Sequence, residues 1–241
     1  MAFIRGLDVS SCQGNISWTK VDPAFQFVVV KISEGETGQD PTRFANMKGA
    51  EDTGRLVFCY HFFRTSQDPQ KQAENVWKAV GSSAPLLVFI DLETIADGLS
   101  PAQAIEKTLA LAEKLESYFG RPPGLYTFPY FARSTLGPAL FGATSLARCP
   151  LWMADYSGGE SPKDGWSPYV PKPWDTWTFA QTSGNNSSLV PGIYGHVDHN
   201  VANFQSFEAL RTFAGLPPLL PDASQVIPNS PYDEAEKPET D

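Results

Sequence analysis

A chain of 241 residues with 41% hydrophobic content can bury a full core, and at this size a single barrel domain is a common solution. Its net charge of −9 and pI near 4.8 disfavour a nonspecific grip on nucleic acid or on an anionic membrane surface and fit a neutral or cationic substrate surface better. No segment reaches the roughly 18 apolar residues of a membrane helix, and the opening residues Met1 to Gly6 lack the apolar core of a signal peptide, so synthesis in the cytosol is expected, with action elsewhere after release or export.

Short apolar runs alternate with helical spacing along the chain. Strands are expected at 3–9, 27–32, 56–62, 86–92, 124–126, 151–154, 176–180 and 194–198. Continuous runs such as Val28-Val29-Val30 and Val88-Phe89-Ile90 are how strands buried on both faces of a parallel sheet read. A helix is expected over 41–53. A second opens at Asp68-Pro69, with Ala73, Val76, Trp77 and Val80 on one face. A third starts with Ser100 as cap, Pro101 at its first position and Gln103 completing a capping box, and ends at Gly120; Ile105, Leu109, Ala112, Leu115 and Phe119 share its apolar face. A last helix fits 204–214. Connections after Gly124 are rich in Pro and Gly, which predicts an irregularly closed second half.

Because no glycine-rich phosphate loop follows any strand, the pattern favours an α/β barrel of TIM-like type over an open doubly wound sheet. Residues 1–215 form the expected catalytic barrel. Residues 216–241, rich in Pro and acidic side chains, form an expected disordered tail. Cys12, Cys59 and Cys149 are odd in number and lack a C-x-x-C spacing, so they are expected as reduced core thiols, Cys12 and Cys59 on the barrel's interior side. His196 and His199 sit three apart, but only His61 remains and no third ligand is evident, so neither a metal nor another cofactor is expected.

Active sites of such barrels lie at the carboxyl ends of the strands, where acidic residues closing apolar runs single out Asp8, Asp91, Glu93 and Asp198. Asp91 and Glu93 stand two apart on one strand and so point to the same side. Their mutual repulsion, with partial burial, should raise one pKa and keep a proton donor near neutral pH, as glycosidic cleavage requires. A polar strand end is the bland alternative. No G-x-S-x-G elbow supports a serine hydrolase.

The strand-end motifs, taken in order, resemble the glycoside hydrolase family 25 lysozymes. They run from Gly6-Leu7-Asp8-Val9-Ser10-Ser11 through Val30-Lys31 with Ser33-Glu34-Gly35, Tyr60-His61-Phe62, Ile90-Asp91-Leu92-Glu93, Leu125-Tyr126-Thr127 and Leu151-Trp152-Met153-Ala154-Asp155-Tyr156 to Val197-Asp198-His199-Asn200. Two stretches depart from the family pattern: Ile32-Ser33-Glu34 stands for Ala-Thr-Glu, and 177–183 matches the Trp-Gln-Tyr pattern only loosely. The resemblance implies a (β/α)5(β)3 barrel that cuts the β-1,4 bond between N-acetylmuramic acid and N-acetylglucosamine. It also implies Glu93 as general acid and base, Asp91 as its partner, and Asp8 and Asp198 as residues that hold the pair. Tyr60, Tyr126, Trp152 and Tyr156 would line the groove and stack on sugars. Since Asp91 shares a strand side with Glu93, attack by the substrate acetamide with net retention is favoured over a protein nucleophile, and direct, inverting attack by water stays open beside it. The expected partner is bacterial cell-wall peptidoglycan, met by a monomer in the manner of a phage lysin. The competing readings are a chitinase-like glycosidase, which the apolar residues before Asp91 do not support, and a catalytically silent peptidoglycan-binding barrel.

Overall fold

The computed structural model describes residues 3–81, 86–184 and 187–217. In chain order its elements are β1 (Ile4–Val9), β2 (Phe25–Glu34), β3 (Gly38–Gln39), α1 (Arg43–Asp52), β4 (Leu56–Phe62), α2 (Pro69–Val80), β5 (Val88–Asp91), α3 (Pro101–Phe119), β6 (Gly124–Thr127), a π-helical turn (Phe131–Leu136) running into α4 (Gly137–Gly142), β7 (Leu151–Ala154), β8 (Phe179–Gln181), β9 (Asp198–Ala202) and α5 (Phe207–Phe213). The sheet order β1-β9-β8-β7-β6-β5-β4-β2 closes through a β1–β2 pairing into a TIM-like barrel of eight strands, and β3 merely extends the far end of β2. All barrel pairings are parallel except those of β9, which runs antiparallel to β1 and β8.

The helix punctuation acts as its chemistry dictates. Ser100 and Gln103 form the capping box of α3, Gly120 ends it in the left-handed region with φ 70°, and Asp68 caps α2 through the N–H groups of Gln70 and Lys71. Helices α1, α2 and α3 pack their buried faces on the outer side of the strands. Trp77 departs from the expected face and is 53% exposed, leaning on Tyr118 and Phe119 instead. Between β1 and β2 there is no α-helix but two short 3-10 turns, Ser11–Gln13 and Trp18–Lys20.

Alternate side chains fill the barrel in layers. At the bottom, Phe27, Phe58 and Phe89 surround Phe179 at ring-centroid distances of 5.1, 5.1 and 5.4 Å. This plug requires glycine beside it: a Cβ at Gly6 would stand 2.4 Å from the Phe27 ring, and one at Gly124 would stand 2.1 Å from Phe89. Above lie Tyr60, Tyr126 and Trp152, with Trp152 centred 4.6 Å from Tyr126 and 6.0 Å from Tyr60. Beyond this layer the inner faces carry Asp8, Lys31, Asp91 and Gln181 on β1, β2, β5 and β8, with Phe62, Phe128 and Ala154 on or just beyond β4, β6 and β7, and together these form the mouth.

Strand expectations shift at three places that bear on the site. The fourth strand is Val88–Asp91 rather than 86–92, so Glu93 lies just beyond the strand that Asp91 closes; the last strand is Asp198–Ala202 rather than 194–198, and the seventh is Phe179–Gln181 rather than 176–180. Asp198 therefore opens its strand instead of closing it. An antiparallel strand begins at the rim where its parallel neighbours end, so Asp198 still arrives at the mouth. The cysteines also differ: Cys12 is exposed, and Cys59 points outward from β4 against Met47 of α1, because it alternates with the inward-facing Phe58 and Tyr60. The expected tail falls almost wholly outside the described residues.

Candidate active site

Asp8, Asp91 and Glu93 emerge at one rim with Asp198, and with Ser10, Cys12, Lys31, Tyr60, Phe62, Tyr126, Trp152 and Gln181 they line a cleft of about 250 Å³. The cleft does not end there. Toward β6 and β7 it continues, past the shared Glu93 and Tyr126, into a hollow of about 470 Å³ walled by Phe128, Pro129, Tyr130 and Tyr156. Toward the β2–β3 turn it continues, past Lys31, into a polar hollow of about 290 Å³ bearing Glu34, Glu36, Asp40, Arg64 and Gln67. The result is a groove with an aromatic arm and a charged arm, and the carboxylates between them.

Gln181 holds one half of the centre together. Its Nε2 donates to Asp8 Oδ2 at 2.9 Å and to Asp198 Oδ2 at 3.2 Å, while its Oε1 accepts from the hydroxyls of Tyr126 at 3.2 Å and Tyr156 at 2.8 Å. Asn200 donates a second bond to Asp8 Oδ2 at 2.7 Å, and its own Oδ1 accepts from Trp152 Nε1 at 2.8 Å. Every polar atom of the Gln181 amide is thus used, which fixes its orientation.

The other half is bare by comparison. Asp91 is 6% exposed, and its Oδ1 is buried with no hydrogen-bond partner among the described residues. No hydrogen bond among the described residues holds the half-buried Glu93 carboxyl. Burial, then the charge of Glu93, pushes the Asp91 carboxyl well above the usual range. Burial also raises Glu93, against the lowering pull of Lys31 and Arg64. Both carboxyls rise rather than one, and at Asp91 burial outweighs the repulsion of Glu93 as the cause. Asp8 is raised by burial and by Asp198, and Asp198 is raised to about 6 by burial. Tyr60 and Tyr126 are pushed well up by burial above all, so both keep their protons at neutral pH.

All eight residues singled out from the sequence meet at this groove, in unequal roles. Trp152 is 2% exposed and forms its floor, whereas Tyr156, 53% exposed, offers an open ring. Gln181, Asn200, Phe128 and Tyr130 were not anticipated. A signal for the first two exists: Gln181 stands two residues after Phe179 and Asn200 two after Asp198, the inward register of their strands.

The sequence profile described as "Glycosyl hydrolases family 25" matches residues 7–188. Lysozyme M1 of Streptomyces globisporus is 28% identical over 211 residues, covering 83% of this chain and 68% of its own. N,O-diacetylmuramidase of Arthroderma benhamiae is 27% identical over 205 residues, covering 78% of this chain and 83% of its own. Among solved structures, a bacterial lysozyme from Streptomyces coelicolor superimposes with a TM-score of 0.75 at 26% identity, over 90% of this chain and all of that one.

Proposed function

The chain belongs to glycosyl hydrolases family 25, and from that premise we propose how its groove cuts peptidoglycan. It is a glycoside hydrolase of the lysozyme type, a muramidase acting on the β-1,4 bond between N-acetylmuramic acid and N-acetylglucosamine. The catalytic unit is the barrel, residues 1–215. It acts as a monomer. No helix among the described residues is long and apolar enough to cross a membrane, and the enzyme reaches the wall by release in the manner of a phage lysin or by an export route.

Glu93 protonates the leaving glycosidic oxygen, and as that bond breaks the acetamide oxygen of the muramic residue bonds to the anomeric carbon. Asp91 accepts a hydrogen bond from the acetamide N–H, orients it and balances the positive charge that develops on the cyclised intermediate. Glu93, now ionised, takes a proton from the water that reopens the ring. The observation that carries this reading is the buried, unpartnered Oδ1 of Asp91 in the cleft that it lines together with Glu93. A buried acceptor without a donor is costly, and a substrate amide supplies the donor where it is wanted. Asp91 closes β5 and Glu93 follows two residues later into the same cleft, and this close spacing argues against Asp91 as a nucleophile across the sugar ring. Asp8 and Asp198, locked on Gln181, are supports for the pair, and Tyr60, Tyr126, Trp152 and Tyr156 shape the sugar sites.

Digestion of purified cell walls, with mass spectrometry of the released muropeptides, tests the assignment. Muramic acid should stand at the new reducing end, and Glu93→Gln should slow release by about 10² to 10⁴ fold while wall binding persists. N-acetylglucosamine at the reducing end, or an active Glu93→Gln enzyme, would overturn it.

A further inference from the structure

Among the described residues, four carboxylates line the central cleft and only one cation, Lys31, lines it with them. Lys31 follows Phe27 and Val29 on the inner face of β2, so its ammonium enters the barrel mouth from within. The register slip between Lys31 and Ser33 then brings Glu34 back toward it, at 2.8 Å from Nζ. Arg64 closes the other side of Glu34, donating through Nε at 2.9 Å and also through its terminal nitrogen. Both cations rest on Phe62, Lys31 at 5.2 Å and Arg64 at 4.4 Å from the ring centroid. An ammonium held by a carboxylate and an aromatic face together is a fixed charge and not a roaming surface lysine.

We propose that Lys31 is a positioning residue: clamped by Glu34 and Phe62, its charge balances the Asp91–Glu93 pair and sets the pH range over which the pair holds one proton. This rests on the reading of Glu93 as proton donor. The groups facing the pair are Asp8 from β1, Lys31 and Glu34 from β2, Tyr60 from β4 and Arg64 just beyond it, Tyr126 from β6, Tyr156 beyond β7 and Asp198 from β9. Tyr60 and Tyr126 are neutral at working pH, as is Tyr156, raised to about 12 by burial first. Glu34 stays ionised, because the hydrogen bonds of Lys31 and Arg64 outweigh the upward push of burial. Lys31 and Arg64 are then the cations opposing the anions of the mouth, and Lys31 is the one inside the cleft. Both lower Glu93, and Lys31 lowers Asp91 while Glu34 raises it.

Removing Lys31 and removing Glu34 must therefore displace the pair in opposite directions. With Lys31→Met, both limbs of the pH profile of glycan cleavage should move up by about one pH unit, whereas Glu34→Gln should move them down. Lys31→Arg should restore the native profile. The carbon-13 carboxyl titrations of Asp91 and Glu93 should shift with the same signs. Glu34 sits at a partly exposed position, so its variant decides the matter if Lys31→Met fails to fold. Opposite shifts of the carboxyl titrations support the inference even if the rate profile stays put, in which case Glu93 as proton donor is the reading that falls. Carboxyl titrations unmoved in the folded variants would overturn the inference.

Discussion

Replacing Asp198 by Asn should make the protein more stable at neutral pH and less active. Asp198 opens β9 at the barrel mouth, where burial holds its carboxyl at about 6 against an ordinary 3.8. Because the folded state binds the proton more tightly than the unfolded chain, stability falls as pH rises through the interval between these values, and the full cost is present at pH 7. Taken whole, that displacement corresponds to about 3 kcal/mol. Water reaches part of the group, which reduces the expected figure to about 1–2 kcal/mol. An Asn at this position keeps an oxygen to accept from Gln181 Nε2, now 3.2 Å from Asp198 Oδ2, while removing the charge. It also relieves Asp8, whose proton is tightened by the same neighbour. Urea unfolding of both proteins at pH 7 and at pH 4 separates the effects: the variant should gain about 1–2 kcal/mol at pH 7 and close to nothing at pH 4, where both carboxyls are largely protonated. The same difference at both pH values, or a net loss at pH 7 alone, would refute the electrostatic reasoning.

Gln181→Leu should cost about 2–4 kcal/mol of stability, because it strips hydrogen bonds from two carboxylates and leaves the buried Tyr126 hydroxyl without its acceptor; a loss below about 1 kcal/mol in urea unfolding would contradict its role as the hub. Thiol labelling should be equally selective. Cys12 is exposed at the cleft, whereas burial raises the Cys59 thiol far above its usual range and the Cys149 thiol to about 11. Intact mass after brief maleimide treatment should show one adduct on the folded protein and three after unfolding, and an adduct on Cys59 or Cys149 without unfolding would contradict the packing.

Much of this architecture was legible because parallel barrel strands announce themselves. Val28-Val29-Val30 and Val88-Phe89-Ile90 are apolar on both faces, since one face meets the barrel interior and the other meets helices. The capping box at Ser100 and the glycine at 120 fixed α3 to the residue for the same local reason. What resisted reading was β9. Reversing one strand moves no residue type, so nothing in 194–202 tells the opening of an antiparallel strand from the closing of a parallel one. Cys59 shows a second limit, since the inner and outer faces of a doubly buried strand carry similar side chains, and Cys12 a third, since it follows β1 into an exposed turn. In the site, the acids were visible as charge at strand ends. Gln181 and Asn200 were harder to see, because their importance lies in which atoms they join across 173 and 192 residues of sequence.

Attack by the substrate acetamide is tested most directly by the anomeric form of the first product. A defined glycan with N-acetylmuramic acid at the cleaved position is followed by proton NMR from the first minutes of reaction, before mutarotation mixes the anomers. Attack by the acetamide and then by water inverts the anomeric carbon twice, so the β-anomer should appear first. An α-anomer appearing first would contradict acetamide attack and assign the attack to water.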